Sequence, residues 1–206
     1  MVKNNKKSKW IKEHISDTYV KKSKQNNYRS RAAFKLKDID QKYNFLSNTK
    51  NVIDLGCAPG SWLQVLKEYK QIKLIIGVDL LNFKPLEKVE FYKYDIRNDK
   101  LISEISSRYK CKFDLVLSDI APNITGIGDV DQANFYELAE NISNFCKFLL
   151  IPGGMLVMKY FVGASYNKAN SLLKDNFRKI AVYKPDSSKK KSSEIYLICD
   201  DYKALC

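Results

Sequence analysis

The chain is predicted to be an α/β protein whose mostly parallel sheet carries helices on both faces. Three observations predict it. Seven strand-length apolar runs, rich in Val, Ile and Leu, follow one another from residue 51 onward. Stretches with helical spacing lie between them, and a Gly-containing turn follows the first run directly. Strands buried on both faces read as continuous apolar runs, and strands alternating with helices build a parallel sheet.

Taken in order, residues 1–8 are Lys- and Asn-rich and read as disordered. Trp10–Lys24 fits a short helix, and Ser30 is placed to cap a second one through Phe34, Leu36, Ile39 and Tyr43. The polar Ser47–Lys50 link then marks a change of texture. It divides a basic N-terminal extension, 1–46, from a main domain, 47–206. The strand runs are Asn51–Leu55, Leu74–Asp79, Val89–Tyr94, Phe113–Ser118, Met155–Tyr160, Lys179–Tyr183 and Glu194–Cys199. The clearest helix is Asp131–Leu150. There Phe135, Leu138, Ala139, Ile142, Phe145, Cys146 and Leu149 form one stripe that must pack against a sheet. A turn at Pro152-Gly153-Gly154 is expected to end it. No internal repeat is visible.

Composition narrows the function classes. At 206 residues and 45% hydrophobic content the chain can bury a full core. No apolar run nears the roughly 20 residues that span a bilayer, so no membrane partner is expected. Met1–Trp10 lacks the apolar stretch of a secretory signal, and Glu13 and Asp17 precede the first arginine, Arg29, against a transit peptide. The expectation is a cytoplasmic monomer, with a mitochondrion or other organelle as the alternative location. Cys57, Cys111, Cys146, Cys199 and Cys206 form no C-x-x-C pair, which predicts buried reduced thiols and no metal site. His14 reads as a solvated helix residue. Net charge is +13, and residues 1–42 carry +9 of it, with thirteen Lys or Arg against four acids. Such a basic end points to nucleic acid, less often to an acidic membrane surface, against the plainer reading of a solvated tail.

The first strand runs into Asp54-Leu55-Gly56-Cys57-Ala58-Pro59-Gly60-Ser61-Trp62. Gly56 and Gly60 permit a sharp turn and close backbone approach to a ligand, and Pro59 drops a donor where a helix can begin. The G-x-G-x-x-G dinucleotide pattern is absent, which weighs against a dehydrogenase. Ligands of such sheets sit beyond the carboxyl ends of the strands. Asp79, ending the second strand, suits both hydroxyls of a ribose; Asp95, after the third, suits an adenine amino group. With no Lys or Arg in the turn to meet phosphate, the ligand reads as an adenosine without pyrophosphate, and S-adenosylmethionine fits. The alternative for each acid alone is a helix cap or loop residue, a reading that weakens when the acids are taken together.

Four ionisable residues stand at telling positions: Lys35 on the second N-terminal helix, Asp119 closing the fourth strand, Lys159 near the end of the fifth and Glu194 opening the last. If that last strand is antiparallel, all four meet at one sheet edge. A lysine in an apolar strand is costly unless partnered or functional. It serves as a base only when neutral, a state favoured by burial, by a second cation such as Lys35 and by a sulfonium. Asp119 and Glu194 would stabilise the ammonium formed when the proton arrives. The set therefore suits proton abstraction from a weakly acidic hydroxyl and in-line attack on a methyl group. The alternative is a structural salt-bridge network.

The strings "SKWIKEHISDTYVKKSKQNNYRSRAAFKL", "DLGCAPGSW", "SDIAPNITG", "MKYF" and "KPDSSKKKSSEIYLI" together resemble the FtsJ/RrmJ family, nearest its bacterial-type large-subunit ribosomal RNA uridine-2′-O-methyltransferases. The resemblance runs in order over nearly the whole chain. It implies a Rossmann-like S-adenosylmethionine-dependent methyltransferase fold with a seven-stranded sheet, a Lys-Asp-Lys-Glu tetrad matching Lys35, Asp119, Lys159 and Glu194, and cofactor contacts at Gly60, Trp62, Asp79, Asp95 and Asp119. Ser61 stands where relatives often have a second Gly, Cys57 where they have a small residue, and the Lys-rich start exceeds the usual bacterial pattern.

Lys21, Lys22, Lys24, Arg29 and Arg31, with Lys189, Lys190 and Lys191, are expected to form a phosphate-binding rim near Lys35 and Glu194. Tyr19 and Tyr28 are candidates for base stacking or, equally, for core packing. The expected activity is 2′-O-ribose methylation of RNA, a uridine of large-subunit ribosomal RNA, with Lys159 as base. The alternatives are a tRNA-modifying branch with the same chemistry and a non-catalytic RNA-binding assembly factor, which would be expected to lose part of the tetrad.

Overall fold

The computed structural model of the chain describes residues 17–110 and 112–203. Residues 1–8, His14, Cys111, Cys206 and the start of the expected first helix lie outside that range. The described part of that helix is α1 (Thr18–Gln25), capped by the Asp17 side chain. There follow α2 (Ala32–Tyr43), β1 (Asn51–Leu55), α3 (Ser61–Leu66), β2 (Leu74–Asp79), β3 (Glu90–Lys93), α4 (Asp99–Arg108) and β4 (Phe113–Ser118). The chain continues as α5 (Gly128–Leu149), β5 (Leu150–Phe161), α6 (Tyr166–Asn176), β6 (Phe177–Tyr183) and β7 (Glu194–Tyr202).

The seven strands form one sheet in the order β3-β2-β1-β4-β5-β7-β6. All neighbours pair parallel except those of β7, which runs antiparallel to both β5 and β6. Successive strand side chains alternate faces, so the sheet has two cores. On one face α4, α5 and α6 cover Ile53, Val116, Met158, Tyr160 and Leu197. On the other, Ala33, Leu36 and Ile39 of α2 and Trp62, Leu63 and Leu66 of α3 cover Val52, Leu115, Leu117, Val157, Tyr196 and Ile198. Thus α2, which precedes the expected boundary at residue 46, belongs to the same packed core as the sheet. Arg31, not the expected Ser30, is its N-cap, and Ser30 one residue earlier accepts from the Ala32 N–H at 3.2 Å.

Pro152-Gly153-Gly154 is not the turn expected there. α5 passes directly into β5, whose Leu150 pairs with Phe113 and whose Met155 pairs with Leu115. Asp114 alone therefore stands opposite Ile151–Gly154, and the Pro-Gly-Gly triplet is a bulge inside a strand. The apolar pair Leu150–Ile151 re-enters the sheet before the triplet, and Gly153, at φ 77°, permits the excursion. β6 and β7 also extend beyond the expected runs, to Phe177 and Tyr202, whose rings pack at 5.3 Å. No helix among the described residues is long and apolar enough to cross a membrane.

Candidate active site

The chain leaves β1 toward β2 and β3, then returns to β4 on the other side of β1. That reversal opens a crevice at the carboxyl ends of the strands, the usual ligand position in such sheets. Here it is a cleft of about 600 Å³. Gly56 lines it, with Asp79–Leu81, Tyr94–Arg97 and Asp119–Asn123 from the loops and Asn134, Glu137, Leu138 and Asn141 from α5. A Cβ on Gly56, already at φ 73°, would stand 2.2 Å from Ile120 Cγ1, so the turn and the loop after β4 touch only through a glycine.

The acids are held by backbone donors. Asp79 Oδ2 accepts from Ala58 N–H and its Oδ1 from Leu81 N–H, both at 2.8 Å. A carboxylate offers about four acceptor positions, so two remain for ligand hydroxyls. Asp95 is more committed. Arg97 reaches it through Nε, Nη2 and its own N–H, which holds the Asp95 carboxyl below the usual range. Four acids, Asp79, Asp95, Asp119 and Glu137, face a single cation, Arg97. Such a cleft repels phosphate and accepts a ligand that donates hydroxyls and bears positive charge.

Pro59, Gly60 and Trp62 do not line the cleft. Pro59 O accepts from Arg29 Nη1 at 2.8 Å, and a Cβ on Gly60 would meet that same Arg29 atom at 2.7 Å. The Trp62 indole is buried against Tyr196, its Nε1–H donating to Ala32 O at 2.8 Å. These residues shape the turn from behind and tie it to the start of α2.

The four ionisable residues do converge, as two ion pairs. Lys159 and Tyr196 are cross-strand partners, and Glu194 precedes Tyr196 by one pleat, so all three face α2. Lys35, on α2, pairs with Glu194 at 2.7 Å, and Ser188 Oγ–H donates to the same carboxylate at 2.8 Å. Lys159 Nζ lies 2.5 Å from the Asp119 carbonyl oxygen and 3.2 Å from Asp119 Oδ1, its side chain 9% exposed. Tyr196 links the halves: its hydroxyl donates to Asp119 Oδ1 at 2.6 Å, and Lys35 Nζ sits 5.7 Å from its ring centre. Burial, then Asp119 and Glu194, push the Tyr196 phenol well above its ordinary range, so it remains a donor. Asp119 belongs both to this set and to the cleft wall.

The chain is similar to known proteins over most of its length. The family model of FtsJ-like methyltransferases matches residues 28–202. The chain belongs to the FtsJ-like methyltransferase family. A ribosomal RNA large subunit methyltransferase E from Methylobacillus flagellatus is 38% identical over 191 residues, 92% of each chain. A protein of the same name from Pelagibacter ubique is also 38% identical, over 97% of this chain and 98% of its own. Among solved structures, a ribosomal RNA methyltransferase from Plasmodium falciparum superposes with a TM-score of 0.76 at 34% identity, covering 86% of this chain and 100% of that one.

In this FtsJ-like methyltransferase the expected rim residues divide. Lys21, Lys22 and Lys24 are exposed on α1, and Lys189, Lys190 and Lys191 are exposed between β6 and β7. Arg29 and Arg31 are engaged within the protein. Arg29 holds the Pro59 turn, and Arg31 pairs with Asp17 and donates to Ser187 O, fastening α1 to the β6–β7 loop. Tyr19 and Tyr28 both pack on Phe34, each at 5.6 Å.

Sequence reasoning passed over Tyr196, Ser188 and Asp54. Asp54, in β1, is buried with neither carboxylate oxygen hydrogen-bonded by the protein. Burial, then Asp119 and Asp79, raise its carboxyl well above the ordinary range. The signal was available, since an acid in an apolar strand is the same anomaly that singled out Lys159.

Proposed function

We propose that this chain transfers a methyl group from S-adenosylmethionine to a ribose 2′-hydroxyl of RNA, a uridine of large-subunit ribosomal RNA, with Lys159 as the base. One observation carries the reading. A nearly buried lysine is held on Asp119, and Asp119 also walls the ligand cleft. A group activated at Lys159 is thus next to whatever the cleft holds.

The residues present fit that cofactor. Asp79 has acceptor positions free for ribose hydroxyls, Asp95 lines the same cleft as a further carboxylate, and the excess of acids suits its positive charge. When bound, S-adenosylmethionine supplies a methyl group on a cationic sulfur. Neutral Lys159 Nζ would take the 2′-hydroxyl proton as the oxygen is methylated, the cofactor leaving as the neutral thioether S-adenosylhomocysteine. The proton stays on Nζ, where the two Asp119 oxygens meet the ammonium. Lys35 and Glu194 hold the mouth of the site, and the exposed lysines of α1 and of residues 189–191 grip phosphate. Residues 1–46 then act as an RNA-binding extension joined to the core through α2, in a monomer working in the cytoplasm. The ribosomal substrate is supported by the two curated relatives' names and by their near-full-length overlap with this chain.

The test is incubation of the purified protein and radiolabelled cofactor with large ribosomal subunits, free ribosomal RNA and tRNA. Label is expected in large-subunit RNA, in a dinucleotide that resists alkaline cleavage because its 2′-oxygen is methylated. Label on tRNA alone would assign the tRNA branch. No transfer to any RNA would leave an RNA-binding assembly factor.

A further inference from the structure

Nine large hydrophobic side chains are exposed among the described residues. Single exposed apolar residues are ordinary, but these are unevenly placed. Leu80 and Leu81 belong to the cleft wall. Four others, Ile124 at 64%, Ile127 at 62%, Val130 at 43% and Val162 at 52% exposure, follow β4, which leads into Asp119, and β5, which carries Lys159.

The loops that present them are fastened down. The buried Asp131 carboxylate accepts from Thr125 N–H at 2.7 Å, Thr125 Oγ–H at 2.8 Å and Gly126 N–H at 3.1 Å. Ile127 N–H donates to Thr125 Oγ, and Asp131 N–H donates to Ile127 O. On the next residue, Gln132 Oε1 accepts from Ser165 N–H and Oγ–H. A Cβ on Gly163 would stand 2.3 Å from Gln132 Nε2. Both loops therefore anchor on consecutive residues of α5, and the two isoleucines are displayed on a fixed loop contiguous with the Asp119–Asn123 cleft wall.

Charge says what such a rim meets. From Asp119 through Cys146 the chain contains no Lys or Arg, in a protein that has 36 of them, and it contains five acids. The segment itself offers phosphate no cation, and its acids disfavour one. The apolar surfaces of RNA are the faces of its bases, accessible to a side chain only when unpaired and unstacked. We infer that Ile124 and Ile127 form an apolar platform for an unpaired base beside the target ribose, so that this enzyme selects single-stranded RNA at that face while lysines elsewhere grip the backbone. The inference rests on the proposed RNA methylation and names how that substrate is presented.

The experiment measures binding of a short single-stranded oligouridine, the same strand in a duplex, and one with abasic sites, to wild type and to the double variant Ile124→Ser, Ile127→Ser. The variant is expected to bind the single strand about tenfold more weakly, within the range of one lost base contact. Its duplex and cofactor affinities and melting temperature should stay unchanged. The slope of log affinity against log salt should also hold, since no phosphate contact is lost. On abasic RNA the two proteins should bind alike. Equal single-strand affinity of variant and wild type, or a defect that persists on abasic RNA, overturns the inference. If wild type methylates no RNA in the transfer assay, the underlying reading falls first and takes this one with it.

Discussion

Lys159 and Asp54 pose the same problem on two strands of one sheet: a group that prefers water, placed among side chains that exclude it. Lys159 meets it with a partner, Asp119, supplied by the neighbouring strand's end. Lys159→Ala should therefore lower methyl transfer by about 10²–10⁴-fold, the usual contribution of a positioned base. Cofactor affinity, read by calorimetry, should hold because Lys159 is not in the cleft wall; an active variant would remove it as the base. At Asp54, burial and then the nearby Asp119 and Asp79 favour the protonated carboxyl. In the unfolded chain an aspartate ionises near pH 3.9. In the fold its carboxyl titrates well above that. Its contribution to stability is thus full below about pH 3.9 and is lost as pH rises through the raised value. Asp54→Asn, which cannot ionise, should gain melting temperature relative to wild type between pH 4 and 8. A constant difference across that window would mean that Asp54 is ionised when folded.

At the scale of elements, α2 joins the N-terminal segment to the sheet edge that carries Glu194 and Lys159. Leu36 is fully buried under the sheet, next in sequence to Lys35, which pairs with Glu194. Leu36→Ala should cost about 2–5 kcal/mol in urea unfolding, as large-to-small changes in packed cores do. A loss well under 1 kcal/mol would show that α2 is an appendage rather than part of the core. The β6–β7 loop is a second such joint. Ser187 N–H and Oγ–H donate to Asp38 on α2, Ser188 Oγ–H donates to Glu194, and Lys184 Nζ–H donates to the backbone of Lys190 and Ser192. Removing the Ser188 hydroxyl by Ser188→Ala is expected to lower kcat while leaving the KM for RNA near wild type. A change confined to KM would instead place Ser188 among the RNA contacts.

Over the whole molecule the +13 charge is not spread evenly. Lysines crowd α1 and residues 189–191, whereas the cleft and the segment from Asp119 to Cys146 are acidic. The logarithm of RNA affinity should fall linearly with log salt, with a slope of about 0.7 per neutralised phosphate on a single strand. Replacing Lys189, Lys190 and Lys191 by Ala should flatten that slope by up to about 2. A slope the substitution leaves untouched would move the grip to α1 or the N-terminal residues.

The linear order of apolar runs and turns sufficed for the α/β class and for β1, β2 and β4, which begin and end where local pattern places them. It sufficed too to single out Lys35, Asp119, Lys159 and Glu194, which the structure brings together, because a lysine inside an apolar strand and acids at strand ends are visible without coordinates. Local pattern misread what depends on distant partners. Pro152-Gly153-Gly154 looks like a stop, yet pairing with β4 draws it into a strand as a bulge. Arg29 and Arg31 read as free charges until Pro59, Asp17 and Ser187 come within reach. Trp62, in the middle of the cofactor motif, turns into the core because the start of α2 offers its indole an acceptor. The division of the tetrad into Lys35–Glu194 and Lys159–Asp119, joined through Tyr196, is likewise a matter of strand register and helix placement. Spacing along a chain dictates which residue types are available; only the packing of strands and helices determines which of them satisfy one another and which remain for a ligand.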